Sequence, residues 1–345
     1  MHEHSKITLK SIADRLGISV TTVSRVLSGK ASQFRISEKT EKAVCGVAKS
    51  LQFSPNQIAR GLRLQRSFTL GLIIPDISNH FFATIARNIE IEARKFGFSI
   101  IICDSQESTE IENESLKLLH SRKVDGLIIS SVGQNGENLE KIYKKGMPLI
   151  IVDRYFPNLD ISYVTSNNFQ GSLEGVSYLI ENGHRIIACL QGLLNSATNE
   201  DRVRGYREAH YKNNIQLDES LIVGDSFKEK NAYIETKLLL KRELPPTAIF
   251  AVSNSVAFGA IRAISEEDLK LPDDISIVSF DEEPYSAYLS TPMTTIAQQK
   301  NEMGTIAVRL LINQIESKNR LHTDKIILPT KLIKRKSVKN INQNA

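Results

Sequence analysis

Residues 8–27, TLKSIADRLGISVTTVSRVL, determine how the amino-terminal part of the chain folds. The first apolar residues have the i, i+3, i+4, i+7 spacing of an amphipathic helix: Leu9, Ile12, Ala13 and Leu16. Gly17 permits a tight turn, and Ser19 is a suitable cap for a second helix from Val20 to about Leu27. The stretch therefore predicts two short helices joined by a glycine turn.

A third helix is predicted to begin at Ser37, because an apolar stripe follows it: Val44, Val47, Ala48 and Leu51. Three helices in this order are typical of a helix-turn-helix unit. The second helix can turn Thr21, Ser24 and Arg25 outward, and hydroxyls followed by an arginine suit entry into the DNA major groove. The alternative is a Ser/Thr-rich surface helix that packs against its own protein.

Positive charge is concentrated in this part of the chain. Residues 1–66 contain 12 Lys and Arg against 4 Asp and Glu, whereas the remaining 279 residues contain 32 against 35. A basic head on a nearly neutral body indicates a polyanionic partner such as DNA. The alternative is an ordinary solvated basic face.

Residues 56–66 are basic and carry Arg60, Arg63 and Arg66 around Leu62. A helix of about eight residues is too short to be stable alone in water. The segment is therefore expected to become helical only where a partner supplies the missing free energy, as DNA can. The alternative is a basic linker between domains.

From Thr69 onward, short apolar runs alternate with amphipathic stretches. The runs predict buried parallel strands at residues 70–74, 99–103, 126–130, 149–152, 186–190, 248–252 and 276–280. About ten strands are too many for one small domain, so we expect two doubly wound parallel-sheet subdomains with a cleft between them. The fold class is thus an all-α helix-turn-helix head followed by an α/β body.

Polar and aromatic residues follow several of these strands at their carboxyl ends, where parallel sheets bind ligands. The segments are 75–82, 153–154, 253–254 and 281–282. Carboxylates and amides can bind vicinal hydroxyl groups, and aromatic faces can cover a sugar ring. Each residue alone is as well explained as a helix cap or a turn residue, so the interpretation depends on their recurrence.

The head resembles that of LacI-type transcriptional regulators in residues 8–13, 17–19, 22–27, 36–40, 54–56 and 59–62. Residues 31–35 form a longer loop than is common there. The resemblance implies that Val20, Thr21 and Arg25 read bases, and that the DNA backbone is held by Ser19, Thr22, Ser24 and Ser37. It also implies a hinge helix containing Asn56 and Arg60, in which Leu62 wedges into the minor groove.

The body resembles the periplasmic sugar-binding fold on which these regulators are built. The resemblance implies an effector site formed by Asn79, Phe81, Phe82, Asp153, Arg202, Phe227, Asn254 and Asp281. Lys300 falls where the family often has a side chain that lines the pocket. If Lys300 points inward beside Arg202, the site favours an anionic sugar; the alternative is an exposed lysine on a helix over 301–315.

The resemblance and the charge distribution together predict a sequence-specific transcriptional regulator, most simply a repressor, controlled by a carbohydrate or sugar-acid effector. The expected partners are a pseudo-palindromic operator in double-stranded DNA and a second copy of the chain, as a homodimer or a larger assembly. The alternative is a sugar-binding receptor or an enzyme on the same α/β fold without a DNA function.

Several other classes are disfavoured. The chain has no GxSxG, HExxH or GxxxxGK motif and no cluster of His and Cys, so we expect no enzyme activity, no metal and no cofactor. Cys45, Cys103 and Cys189 are widely spaced, as in reduced proteins. Without a signal-like N-terminus or a run of about 20 apolar residues, a cytoplasmic protein without membrane contact is expected.

These expectations divide the chain into four parts. The head covers residues 1–55, the hinge helix and linker 56–67, the body 68–337 and the tail 338–345. Within the body, the first subdomain is expected at about 68–165 plus 294–323, and the second at about 166–291 plus 324–337.

Overall fold

The computed structural model describes residues 7–27, 29–51, 53, 66–133, 135–317 and 323–342. The chain separates into two units, Met1–Ser67 and Phe68–Ala345. The first contains the three predicted helices: α1 Leu9–Leu16, α2 Val20–Leu27 and α3 Glu38–Ser50. The predicted helix-turn-helix arrangement of the head is confirmed.

Local sequence explains where the head helices begin and end. Thr8 caps α1 by accepting a hydrogen bond from the Ser11 amide, and Gly17 ends this helix in the left-handed conformation with φ 63°. The Ser37 hydroxyl caps α3 by accepting from the Thr40 amide. The three helices enclose a small core formed by Ile12, Ala13, Val23, Val26, Ala31, Val44 and Ala48.

The second unit contains two six-stranded sheets. The first sheet has the order β11-β5-β4-β3-β1-β2, and all of its strands are parallel. Its strands are β1 Thr69–Ile74, β2 Ser99–Asp104, β3 Gly126–Ile129, β4 Leu149–Val152, β5 Tyr163–Ser166 and β11 Lys325–Leu328. Its helices are α4 His80–Lys95, α5 Thr109–Ser121, α6 Glu137–Lys144 and α11 Lys300–Glu316. We call this part the first lobe.

The second lobe is built around the other sheet, which has the order β12-β10-β9-β8-β6-β7. Its strands are β6 Ile187–Leu190, β7 Ile222–Val223, β8 Ala248–Ala251, β9 Ser276–Phe280, β10 Thr294–Ala297 and β12 Lys331–Ile333. Only β12 runs antiparallel to its neighbour, β10. Its helices are α7 Asn168–Glu181, α8 Ala197–Lys212, α9 Glu229–Leu240 and α10 Asn254–Glu266.

The predicted pattern of buried parallel strands is confirmed. Alternate residues of β1 belong to different cores, with Leu70, Leu72 and Ile74 in one and Ile73 in another. Because successive side chains of a strand point to opposite faces, the first sheet is covered on both sides. The second lobe has its own core around β6, β8 and β9.

The expected subdomain boundaries are wrong for two strands. Residues 294–297 form β10, which pairs with β9 in the second lobe, and residues 325–328 form β11, which pairs with β5 in the first. The chain therefore passes between the lobes after β5, after β10 and again between β11 and β12. Strands that are distant in sequence decide which sheet a short apolar strand joins. The local sequence pattern does not reveal these partners.

The end of the described chain is packed rather than free. The Ile341 amide donates to the Asn182 carbonyl, and the Lys339 amide donates to the Ser276 hydroxyl. Ser337 is fully buried. Residues 338–342 thus lie against the second lobe, although the sequence suggests a separate tail. None of the helices in the described part of the chain combines the length and apolar character that crossing a lipid bilayer requires.

Gly205 allows α7 and α8 to pack closely. A Cβ atom at this position would lie 2.4 Å from the Phe169 carbonyl oxygen and 2.8 Å from Ser172 Cβ. We expect Gly205→Ala to lower the free energy of unfolding by about 1–3 kcal/mol, since backbone has to move. Gly46→Ala in α3 is the matched control, because its Cβ meets nothing within 4 Å. It should stabilise the head by about 0.5–1 kcal/mol; equal thermal shifts for both variants would contradict this packing argument.

Candidate DNA-reading surface and effector cleft

The outer face of α2 carries the side chains predicted to read bases. Val20, Thr21 and Arg25 are exposed, whereas Val23 and Val26 are buried in the head core. Thr22 and Ser24 are half-buried beside them. The helix therefore presents the polar face that the sequence predicts.

The two predicted capping serines are already engaged in the head. The Ser19 hydroxyl accepts from the Thr22 amide at 3.0 Å, and the Ser37 hydroxyl accepts from the Thr40 amide at 3.2 Å. Each hydroxyl also shares a hydrogen bond of 2.9 Å with the threonine hydroxyl of the same turn. Both serines thus hold helix N-termini, whose free amides suit a phosphate. Asn56, Arg60 and Leu62 lie outside the described residues.

One feature of this surface was not predicted. The guanidinium carbon of Arg25 lies 3.8 Å from the centre of the Phe34 ring. Phe34 is in the unusually long loop over residues 31–35, which forms a short 3-10 turn, Ser32–Phe34. The sequence signal was the extra length of this loop, but nothing in the local pattern links Phe34 to Arg25.

A cavity of about 680 Å³ lies between the two lobes. Seven of the nine predicted effector residues line it: Asn79, Phe81, Phe82, Asp153, Arg202, Phe227 and Asp281. They come from both lobes and lie in the segments that follow the strands or in the first two turns of the next helix. This is the edge at which parallel sheets bind ligands.

Asn254 and Lys300 are not among the described residues that line the cavity. Asn254 is buried, and its side-chain oxygen accepts from the Ser255 amide at 2.7 Å, so it shapes the start of α10. Lys300 neither points inward beside Arg202 nor lies in solvent. Its Nζ donates to Glu283 Oε1 at 3.0 Å and to the Glu282 carbonyl at 2.7 Å. Both alternatives considered for Lys300 are therefore wrong, because a buried carboxylate of the second lobe binds it.

Arg202 is buried and lines the cleft from the second lobe. Its Nε donates to Asn168 Oδ1 at 2.8 Å, and one terminal nitrogen donates to the Val252 carbonyl at 2.6 Å. Its guanidinium lies 3.9 Å from the centre of the Phe280 ring. Burial lowers the pKa of Arg202, and Asp281 and Asp153 counteract that shift. The guanidinium is thus held rigidly, as an anchor for ligand hydroxyls has to be.

Asp153 and Asp281 contribute carboxylates from the two lobes. Both have a left-handed backbone, with φ 62° and 73°, a conformation that Asp and Asn tolerate better than most residues. Burial raises the pKa of Asp153 to about 6, although Arg202 and Arg154 oppose the shift. Within the described structure, no group donates a hydrogen bond to Asp153 Oδ1. Asp281 accepts from Gln298 Nε2 at 2.5 Å.

Arg154, which lies in the predicted strand-end segment 153–154, and Glu107 were not among the predicted effector residues, but both line the cleft. The Arg154 guanidinium forms two hydrogen bonds with the Glu107 carboxylate, at 2.7 and 2.6 Å. It also lies 5.8 Å from the Phe82 ring centre and 5.0 Å from that of Phe227, so it joins an aromatic ring of each lobe. The position of Arg154 directly after Asp153 at a strand end was the available signal.

The cleft carries more negative than positive groups. Its carboxylates belong to Asp76, Asp104, Glu107, Asp153, Glu229 and Asp281, and its cations to Arg154, Arg202 and Lys228. Four phenylalanines add apolar surface: Phe81, Phe82, Phe227 and Phe258. Such a lining can bind hydroxyl groups and cover ring faces, but it repels additional anions. In the part of the chain that the structure describes, no cluster of His, Cys, Asp and Glu is arranged to hold a metal ion.

The head and the body each match a known protein family. Residues 67–336 match the family described as periplasmic binding proteins and sugar binding domain of LacI family. Residues 8–56 match the family described as bacterial regulatory proteins, lacI family. The HTH-type transcriptional repressor PurR of Histophilus somni (strain 2336) is 32% identical over 336 residues, which cover 97% of this chain and 99% of the relative.

Solved structures agree with this assignment. The lac repressor dimer bound to operator and the anti-inducer ONPF has a TM-score of 0.83 and 26% identity, covering 97% of this chain and 100% of that chain. A LacI family regulator from Enterococcus faecium with bound ribose has a TM-score of 0.71 and 28% identity, covering 79% and 100%. The resemblance noted in the sequence is confirmed, and the alternatives of an enzyme or a receptor without DNA function are excluded. The chain belongs to the LacI family of bacterial regulatory proteins and is a DNA-binding transcriptional repressor.

Proposed function

We propose that this repressor binds a pseudo-palindromic operator as a cytoplasmic homodimer and that a small neutral carbohydrate in the cleft controls its affinity for DNA. The observation that carries the proposal is the lining of the cleft. The carboxylates of Asp153 and Asp281 and the buried guanidinium of Arg202 lie in one cavity with four phenylalanine rings. This combination suits a ring that bears hydroxyl groups on its edge and CH groups on its faces.

The charge of the cleft favours a neutral sugar over a sugar acid. Lys300 was the reason to expect an acidic ligand, but it binds Glu283 instead. The six carboxylates and three cations of the lining leave no unbalanced positive charge for a ligand carboxylate or phosphate. Ribose, which is bound in the Enterococcus faecium regulator, is a ligand of the proposed class.

In this proposal the head, the hinge and the body each have a separate role. Residues 1–55 read DNA, with Val20, Thr21 and Arg25 at base edges and the remaining polar groups of α2 and α3 at phosphates. Residues 56–67 form the hinge, with Asn56, Arg60 and Leu62 at the minor groove. The body, residues 68–337, binds the effector and pairs with a second copy. Pairing is required because one head covers too few base pairs to select an operator from a genome.

Closure of the cleft is the proposed means of control. Polar contacts already join the lobes: His80 and Lys300 both bind Glu283, and the Tyr155 hydroxyl donates to Asp201 at 2.9 Å. A ligand that binds one arrangement of the lobes more tightly than the other shifts the population between them. Such a shift alters the spacing of the two hinges and so their ability to order on DNA.

The proposal is tested by thermal-shift and calorimetric titration of the full chain with D-ribose, cellobiose, D-gluconate, glucose 6-phosphate and hypoxanthine. We expect a neutral sugar to raise the melting temperature, as a ligand of the folded state does. Arg202→Met should weaken its binding by about 10- to 100-fold, since hydrogen bonds to a buried charge are lost. Arg204→Met, a mainly exposed neighbour on α8, is the matched control and should bind normally.

Two results would contradict the effector assignment. Binding of gluconate or glucose 6-phosphate without any neutral sugar would show that the carboxylates do not set the ligand charge. Binding of hypoxanthine alone would show that the aromatic rings select a planar base. A change of operator affinity with the bound sugar, measured by footprinting on a selected duplex, completes the test.

A further inference from the structure

The exposed Phe34 ring on the DNA-reading head has a defined position. Its side chain is 43% exposed, and the Arg25 guanidinium lies 3.8 Å above its centre. An arginine this close to an aromatic face is attracted by the negative charge density of the ring. Phe34 is not part of the head core and has no folding role comparable to that of Val23 or Val26. Its contact with Arg25 therefore requires another explanation.

Backbone hydrogen bonds fix the loop that carries Phe34 beside Arg25. The Phe34 amide donates to the Lys30 and Ala31 carbonyls, both at 3.3 Å, and the Ile36 amide donates to the Ala31 carbonyl at 2.9 Å. Ala31 is buried in the head core, which anchors the start of the loop. Arg35 has φ 52°, which returns the chain toward α3. The ring is thus supported by backbone hydrogen bonds on both sides.

A guanidinium that stacks on an aromatic ring does so with its face. The five N–H groups of arginine lie in the plane of the group, so its edges can still form two parallel hydrogen bonds. Those edges match the O6 and N7 acceptors of guanine in the major groove. A long, exposed arginine side chain samples many rotamers, and restricting it before binding reduces the entropy lost on DNA.

We propose that Phe34 is a positioning residue that holds Arg25 for a guanine edge and thereby determines part of the operator sequence. The inference deepens the proposed function, because it rests on Arg25 reading a base. It assigns a role to the extended loop over residues 31–35. Lys30 and Arg35, which flank the turn, supply positive charge near the DNA backbone, a contribution that does not depend on sequence.

The test is selection of binding sites by the full-length protein from a randomised pseudo-palindromic duplex library. Wild type is compared with Arg25→Ala, Phe34→Ala, Phe34→Leu, Phe34→Tyr and the double variant Arg25→Ala/Phe34→Ala. We expect Arg25→Ala to lose the preference for guanine at one position of each half-site. Phe34→Ala and Phe34→Leu should weaken the same preference about two- to fivefold, the effect of an exposed cation–π contact. Phe34→Tyr should retain it, and the double variant should be no worse than Arg25→Ala.

Three outcomes would overturn the positioning role. An unchanged profile for Phe34→Ala, an equal loss of affinity for all sequences, or a loss at a thymine that Arg25→Ala does not affect would each exclude it. The last result would mean that the ring contacts a methyl group directly. Gln33→Ala in the same turn is the matched control, and circular dichroism of each variant verifies the head helices. Failure of the proposed DNA-reading function would give a different result from failure of the Phe34 role. In that case the wild type would select no sequence, or Arg25→Ala would change no base preference.

Discussion

Replacing Asp153 by asparagine is expected to stabilise the ligand-free protein by about 3 kcal/mol near neutral pH, because burial in the cleft disfavours the ionised carboxylate. Burial raises the pKa of Asp153 from 3.8 to about 6. The stability that its protonated form contributes is present below the unfolded pKa and is lost as pH rises through the folded value. Near neutral pH the ionised group therefore opposes folding, and asparagine does not ionise.

The difference between Asp153→Asn and wild type should depend on pH. Urea unfolding at about pH 7.5 should show the full stabilisation, and at about pH 4.5 about a third of it. Asparagine tolerates the left-handed backbone at φ 62°, so no new strain arises. Asp160→Asn is the control, since Asp160 is an exposed acid of the same lobe. A stability difference that does not change with pH, or an equal difference for Asp153→Asn and Asp160→Asn, would contradict the raised pKa of Asp153.

The same substitution should impair function. Asp153 lines the cleft, and its buried Oδ1 has no hydrogen-bond donor among the described residues, so a ligand hydroxyl that reaches it on closure would satisfy it. We expect Asp153→Asn to weaken sugar binding by about 10-fold or more, the loss of a hydrogen bond to a charged group. A variant that is more stable but binds less well is the pattern expected where a site retains a destabilising group for binding.

The positions of Asp153 and Asp281 illustrate what sequence patterning can predict. Each follows a continuous apolar run, and the carboxyl ends of parallel strands meet at one edge of a sheet. Both residues accordingly line the cleft. The helix caps at Ser19 and Ser37 were predictable for a similar reason, since each hydroxyl accepts a hydrogen bond from an amide within the same turn.

Interactions between distant residues were not predictable from local pattern. Arg154 binds Glu107, which is 47 positions away, and Phe34 contacts Arg25 across a loop whose conformation no periodicity specifies. The lobe assignments of β10 and β11 failed for the same reason, since each strand joins its sheet through neighbours in another part of the chain. Lys300 was misjudged because its carboxylate partner belongs to the other lobe.

Replacing Lys300 by methionine is expected to lower the free energy of unfolding by about 3–5 kcal/mol at about pH 8, the cost of leaving a buried carboxylate without its partner. Glu283 is 0% exposed and Lys300 is 12% exposed. Burial raises the pKa of Glu283, and Lys300 is the main group that opposes this rise. Without Lys300 the pKa rises further, so Glu283 takes up a proton at a higher pH than in wild type, and the loss of stability should shrink as the pH is lowered.

Two further variants separate the charge of Lys300 from its packing. Glu283→Gln/Lys300→Met should recover most of the lost stability, because no buried charge remains. Lys95→Met is the matched control: Lys95 also binds a buried carboxylate, Glu92, but is itself 63% exposed, and Arg309 provides Glu92 with a second partner. We expect less than about 1 kcal/mol for this control. If Lys300→Met and Lys95→Met destabilise equally, the cluster of His80, Glu283 and Lys300 does not hold the lobes together. The cleft would then depend on Arg154, Tyr155 and their partners instead.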